Sequence, residues 1–182
     1  MNFQFTNVQV SLAQIADIAA ITQLLNSAYR GDSSRKGWTT EADLIGGERR
    51  TDERNLQQVM EQEGSVVLKY CSDKNDIIGC VNLQQHGNRL YLGMFSVSPA
   101  LQGGGIGRQL LQAAVEYAFS LHCTAIYMSV ISVRQELIDW YIRNGFRDTG
   151  ETKAFPEDGL TGKHLHPLEF IILEKQLVDI LS

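Results

Sequence analysis

The chain is poor in cysteine, in basic runs and in long apolar runs, and each shortage narrows what it can be. Among its 182 residues are three cysteines, Cys71, Cys80 and Cys123. The count is odd and the spacing matches no metal or redox motif, which points to reduced, buried thiols of a cytosolic protein. No long basic run occurs and the formal net charge is −5, so nothing suggests nucleic acid as a partner. No apolar run is long enough to span a bilayer. The start, Met1-Asn2-Phe3-Gln4-Phe5, lacks a charged region followed by an apolar one, so no signal peptide and a cytoplasmic location are expected. Internal repeats, linkers and low-complexity segments are also missing. One domain over residues 1–182 is therefore expected, and 43% hydrophobic residues suffice for a sizeable core.

What the chain does have is periodicity. Residues 3–10 alternate partly and predict a first strand. Ile15, Ile18, Ala19, Ile21, Thr22, Leu25 and Tyr29 recur at helical spacing. Residues 30–40, with glycines, serines and Trp38, read as a loop, and 51–63 as a polar helix with Leu56, Val59 and Met60 on one side. Three runs follow, 65–71, 77–85 and 89–97. Gln85-His86-Gly87-Asn88 is a hairpin signal between the last two, so an antiparallel meander is predicted, ended by Pro99. Ile106, Leu110, Ala114 and Ala118 form an apolar stripe that should lie on the sheet. The run 125–130 follows a helix that follows a strand, so it should lie parallel to 90–97 in a βαβ unit. Residues 134–143 predict a helix stopped by Asn144-Gly145. The last strands are 146–155 and 168–177, with a long loop, 156–167, of a length often tied to function.

Between the third strand of the meander and the helix after it stands Gln102-Gly103-Gly104-Gly105-Ile106-Gly107. Glycines permit positive φ and close backbone approach, and the first N–H groups of a helix lack intrahelical partners. Those donors and the helix dipole favour an anion such as a phosphate. A Rossmann dinucleotide site is not indicated. Arg108 stands where Gly-x-Gly-x-x-Gly counted from Gly103 needs its third glycine, and the loop lies mid-chain after an antiparallel meander.

In this setting the chain resembles the GNAT superfamily of acyl-CoA N-acyltransferases. Gln102-x-x-Gly105-x-Gly107 matches that superfamily's pyrophosphate loop. Met94-Phe95-Ser96-Val97-Ser98-Pro99 precedes it and an amphipathic helix follows. Trp140-Tyr141-Ile142-Arg143-Asn144-Gly145-Phe146 resembles the family's second motif, a Tyr followed after three residues by Gly-Phe. The resemblance implies a mixed α/β fold: a central, mostly antiparallel sheet with a splayed parallel strand pair and flanking helices. It also implies acetyl-CoA as co-substrate, no metal, and an amine acceptor on a small molecule or peptide; homodimers are frequent in the superfamily. By the same resemblance, the backbone of Gly103, Gly104, Gly105, Ile106 and Gly107, with Gln102 and Arg108, would cradle the pyrophosphate. The free strand edge at Phe95, Ser96 and Val97 would pair with the pantetheine arm, as in β-augmentation. Tyr141 takes the place of the family's general acid, and a backbone N–H near residues 95–97 would hold the oxyanion.

Two departures accompany the likeness. Many members carry a Glu on the strand before the loop, whereas residues 89–97 here hold no carboxylate. Glu41, His164, His166 and Glu169 are the alternative candidates for a base. Arg134 stands where the family often has Asn; it is expected to meet a CoA phosphate or an acidic acceptor, or to pair with surface carboxylates. His164-x-His166 lacks a third ligand, so a metal pair is not favoured. The loop 155–167 and the segment 37–43 with Trp38 are read as two walls of the acceptor site, and Arg49-Arg50 as a solvated face. Because the usual carboxylate is missing, a non-catalytic acyl-CoA-binding sensor stands as the alternative to an enzyme.

Overall fold

The computed structural model describes residues 3–29, 51–154 and 168–178. The chain runs β1 (Val10–Leu12), a 3-10 turn (Ile15–Asp17), α1 (Ile18–Tyr29), α2 (Glu53–Glu61), β2 (Ser65–Cys71), β3 (Ile77–His86), β4 (Arg89–Val97) and a second 3-10 turn (Pro99–Leu101). There follow α3 (Ile106–Ser120), β5 (Ala125–Ile131), α4 (Gln135–Arg143), β6 (Arg147–Ala154) and β7 (Glu169–Gln176). The strands form one sheet in the order β1-β2-β3-β4-β5-β7-β6. Every neighbouring pair is antiparallel except β4 and β5. The meander, the βαβ unit and the last two strands thus stand where periodicity places them.

The N-terminal expectation needs correction, because residues 3–10 do not form a strand and β1 begins only at Val10. The alternating aromatics there serve packing. Phe3 meets Phe5 and Tyr117 edge-on at ring-centroid distances of 4.7 and 5.5 Å. Asn7 Nδ2 donates to Gln109 Oε1 at 2.7 Å, and the Thr6 N–H donates to Glu116 Oε2. These partners all lie on α3, so the segment is a strap over that helix.

Two apolar clusters sandwich the sheet. Leu110, Leu111, Ala113, Ala114 and Ala118 of α3, with Ile138 and Tyr141 of α4, cover one face. The other cluster joins Ile18, Ile21, Leu24 and Leu25 of α1 and Leu56 of α2 to Val67 and Cys80. These α1 residues recur at helical spacing and bury one stripe, with Ile21 and Leu25 fully inaccessible. Asp52 caps α2 by accepting from the Asn55 N–H at 2.7 Å. Just before it, Thr51 and Asn26 exchange two hydrogen bonds that tie the start of α2 to α1. Helix α4 stops as expected, with Gly145 at φ 93.

One feature of the sheet positions everything that follows. Strands β4 and β5 pair only at Arg89↔Ala125, Leu90↔Ile126 and Tyr91↔Tyr127. Beyond Tyr91 they diverge: the rest of β4 stays on β3, and the rest of β5 stays on β7.

Candidate active site

The gap between the strands opens toward the glycine loop. Along β4 the register with β3 shifts between Cys80 and Asn82, and Met94 there adopts φ 50. A left-handed non-glycine residue in a strand marks a bulge, which bends the strand and re-aims its peptides. The loop that follows is anchored from within. Gln102 Nε2 donates to the Val97 carbonyl at 3.0 Å, so what Gln102 offers outward is backbone. Gly105, at φ 84, is the N-cap of α3 and brings no side chain to its first-turn N–H groups. Those donors face a cleft of about 410 Å³ lined by Phe95, Val97, Trp140 and the run from Leu101 to Arg108. Gly107 lies where the wall is tight. A Cβ there would stand 3.3 Å from Phe95 Cζ and 3.4 Å from Trp140 Cζ2.

The structure brings some of the site residues named from sequence together and leaves others apart. Phe95, Val97, Gln102, Gly103, Gly104, Gly105, Ile106, Gly107 and Arg108 all line this one cleft. Ser96 does not present its side chain to it. Ser96 lies opposite Cys80 in the register, hence on the α1 side of the sheet; it is fully buried and its Oγ has no hydrogen-bond partner among the described residues. Arg134 is half-buried at the N-cap of α4. Glu169 is exposed at the first position of β7. Glu41, His164, His166, Trp38, Arg49, Arg50 and the two expected acceptor walls lie outside the described residues.

Tyr141 does not line this cleft: it is buried behind Phe95 and Trp140, which do. Its ring packs against Phe95, Trp140 and Phe146 at centroid distances of 6.2, 5.1 and 5.5 Å. Burial pushes its phenol well above the ordinary value of 10.0. The neighbouring Tyr29 and Tyr91 phenols push the same way, and Arg134 opposes them. A phenol in that state is protonated at neutral pH and is a weaker acid than a solvated one.

Three contributors escaped the sequence reading. Trp140 stacks on Phe95 at 5.8 Å and 30°, and its only signal was its place beside Tyr141. Tyr29, read as part of a helical stripe, donates its phenol to the Phe95 carbonyl. The Met94 bulge carries no sequence signal, since Met is not a residue that favours positive φ.

Among the described residues, no group of three or more His, Cys, Asp or Glu could hold a metal ion. No described helix is long and apolar enough to cross a membrane. The three cysteines are free thiols.

The fold is shared with solved acetyltransferases. The ribosomal-protein-S18-alanine N-acetyltransferase from Escherichia coli superposes with a TM-score of 0.68 at 14% identity, covering 100% of this chain and 99% of that one. The ribosomal-protein-alanine N-acetyltransferase from Brucella melitensis gives 0.68 at 20% identity, covering 92% and 99%. A spermidine N-acetyltransferase SpeG chimera from Vibrio cholerae and hSSAT gives 0.64 at 17%, covering 92% and 95%. No curated protein sequence matches. The profile described as "Acetyltransferase (GNAT) family" matches residues 18–146. On that match, with the splayed β4–β5 pair and the glycine loop above it, the chain belongs to the GNAT family of acetyltransferases.

Proposed function

We propose that the protein transfers an acetyl group from acetyl-CoA to a primary amine of a small molecule or peptide by direct attack. The observation that carries this reading is that β4, where it parts from β5, lines one cleft with the glycine loop and an uncapped helix N-terminus, with a buried phenol packed behind the Phe95 and Trp140 wall. The glycine run suits a pyrophosphate because Gly103 and Gly105 hold positive φ and the run lines the cleft where α3 begins. Beyond Tyr91 the β4 edge that faces β5 has no strand beside it, which suits the amides of a pantetheine arm.

Bound there, acetyl-CoA supplies an activated thioester carbonyl, and attack by a neutral amine expels a thiolate. The roles of the chain follow from what that charge movement requires. A backbone N–H of the stretch Phe95 to Val97 holds the developing oxyanion. Tyr141 gives its proton to the leaving sulfur; burial ensures that the phenol is protonated beforehand and also makes it a weaker acid. Arg108 adds a positive charge at the mouth of the pyrophosphate cradle, and Arg134 stands beside the acid. β4 itself supplies no carboxylate to take the amine's proton.

That missing carboxylate favours a second reading, a non-catalytic acyl-CoA sensor. One experiment separates the two: thiol release from acetyl-CoA across amino acids, polyamines, aminoglycosides and short peptides, with Tyr141→Phe beside the wild type. The enzyme reading expects turnover of one amine class that falls about a hundredfold or more in the mutant, with acetyl-CoA affinity preserved. Binding without turnover of any amine supports the sensor.

A further inference from the structure

Tyr91 and Tyr127 form the last pair of the β4–β5 ladder, at the point where the strands part. Side chains alternate along a strand. Leu90, Leu92, Ile126 and Met128 belong to the cluster under α3, so Tyr91 and Tyr127 stand on the opposite face, the one on which α1 packs. The cleft with the glycine loop is on the α3 face, where its wall residues Phe95 and Trp140 join that cluster. Tyr91 leans from the ladder into the parted stretch of β4. A Cβ on Gly93 would stand 3.1 Å from Tyr91 Cε1 and 3.9 Å from its Cζ, so the ring lies over Gly93, past the last paired residue. The absence of a side chain at Gly93 makes room for it. Neighbours hold both rings. Tyr91 and Tyr127 meet edge-on at 5.2 Å, and His86 approaches Tyr91 edge-on at 6.4 Å. The Arg89 guanidinium lies 4.2 Å from the centre of the Tyr127 ring and pairs with Glu174 at 3.0 Å. Both tyrosines are half-buried. The Tyr91 phenol also acts on the ionisation of Tyr141, which packs on Phe95 from α4, so phenols from the two faces approach each other at the split.

We propose that Tyr91 is a specificity-determining residue whose ring forms the floor of the acceptor subsite on the α1 face of the split, and that the acceptor it selects is a primary amine carried on an aromatic group. The inference rests on the acetyltransferase reading and names its substrate class. With the cofactor in the cleft on the α3 face, the amine reaches the thioester from the other face, where Tyr91 lies along β4. An aromatic group gains from packing on a ring that Tyr127 and His86 already immobilise, because little side-chain freedom is lost on binding. A polyamine instead meets the positive charge of Arg89 beside the pair.

The test compares the wild type with Tyr91→Phe, which keeps the ring, with Tyr91→Leu, which keeps apolar bulk without it, and with Gly93→Ala, which crowds the ring from below. For each protein, calorimetry gives the acetyl-CoA Kd, and thiol release gives kcat and KM for phenethylamine and for spermidine. We expect the wild type and Tyr91→Phe to favour phenethylamine in kcat/KM by about tenfold or more. Tyr91→Leu should lose that preference through a rise of about tenfold in the phenethylamine KM, with the acetyl-CoA Kd within about twofold. Gly93→Ala should shift the ratio the same way, and it decides the matter if Tyr91→Leu does not fold. A wild type that favours spermidine overturns the inference. So does a Tyr91→Leu protein that keeps the ratio, or one that loses both amines and acetyl-CoA alike, which is the pattern of a merely structural residue. A wild type that binds acetyl-CoA but acetylates nothing defeats the enzyme reading, and titration of phenethylamine into the CoA-saturated protein then decides the subsite alone. Binding that Tyr91→Leu abolishes sustains it, and no binding overturns it. A wild type that does not bind acetyl-CoA defeats both.

Discussion

Gly105→Ala tests whether the glycine loop is a ligand cradle or only a turn. Gly105 holds φ 84 at the N-cap of α3, and a Cβ there would have only Gln109 Nε2 near it, at 4.0 Å. Space is therefore not the obstacle; conformation is. An L-residue kept left-handed costs roughly 1–2 kcal/mol. If the loop holds its shape, unfolding stability falls by that amount and CoA binding is preserved. If the loop instead relaxes, stability is kept but the N–H groups turn away. Each charge-assisted bond lost to a pyrophosphate then costs about 1.5–3 kcal/mol, or about a ten- to hundredfold rise in Kd. Urea unfolding and calorimetric titration with CoA, run on the same preparation, measure both sides of this exchange. Gly87→Ala is the matched control, because Gly87 has φ 62, open space around it, and a place in the β3–β4 hairpin. It should lose a similar stability with no change in CoA affinity. A Gly105→Ala protein that is as stable as wild type and binds CoA as tightly would refute the reasoning.

Further predictions concern ionisation and capping. Burial pushes the Cys80 thiol from 9.0 up to about 12. Between those values the unfolded chain has released a proton that the folded one keeps, so stability should fall as pH rises from 9 to 12, by at most about 1.4 kcal/mol per pH unit. The difference in urea stability between wild type and Cys80→Ala, followed across that range, should show this slope; parallel curves would contradict it. Because Tyr141 is raised well above 10.0, kcat should show no alkaline limb from this phenol below pH 10, and a pH profile on the preferred amine checks it. Asp52→Ala removes the cap of α2 and should cost about 1 kcal/mol in chemical denaturation while leaving acetyl-CoA affinity unchanged.

The framework was legible because its signals are local. β2 and β4 run over the same residues as their apolar runs, 65–71 and 89–97, and the stripe from Ile106 to Ala118 lies on the sheet as its spacing requires. The N-terminus misled because Phe3 and Phe5 alternate as in a strand yet pack on Tyr117 of a helix far along the chain. Nothing in a short window separates those uses of an aromatic. At the cleft, the glycine loop was legible because its residue types announce themselves. The bulge at Met94 was not, since the side chains that meet its carbonyls, Cys80 and Tyr29, stand 14 and 66 residues away in the chain. Nor does the spacing of Ser96 reveal that its side chain points away from the cleft, because the bulge resets which face each β4 residue takes.

The parting of β4 from β5 also bears on how the protein breathes. Three residue pairs join the strand set β1 to β4 to the set β5, β7 and β6. A seam so short lets the two halves open locally at a lower free energy than global unfolding. Amides of β4 past Tyr91 should then exchange with deuterium sooner than those of β3 beside them. A ligand that lays its own amides into the gap acts as a missing strand, and by mass action it stabilises the closed sheet in proportion to the logarithm of its concentration. Deuterium uptake at the seam should slow on CoA addition, at both flanks together, even where a strand touches no part of the ligand.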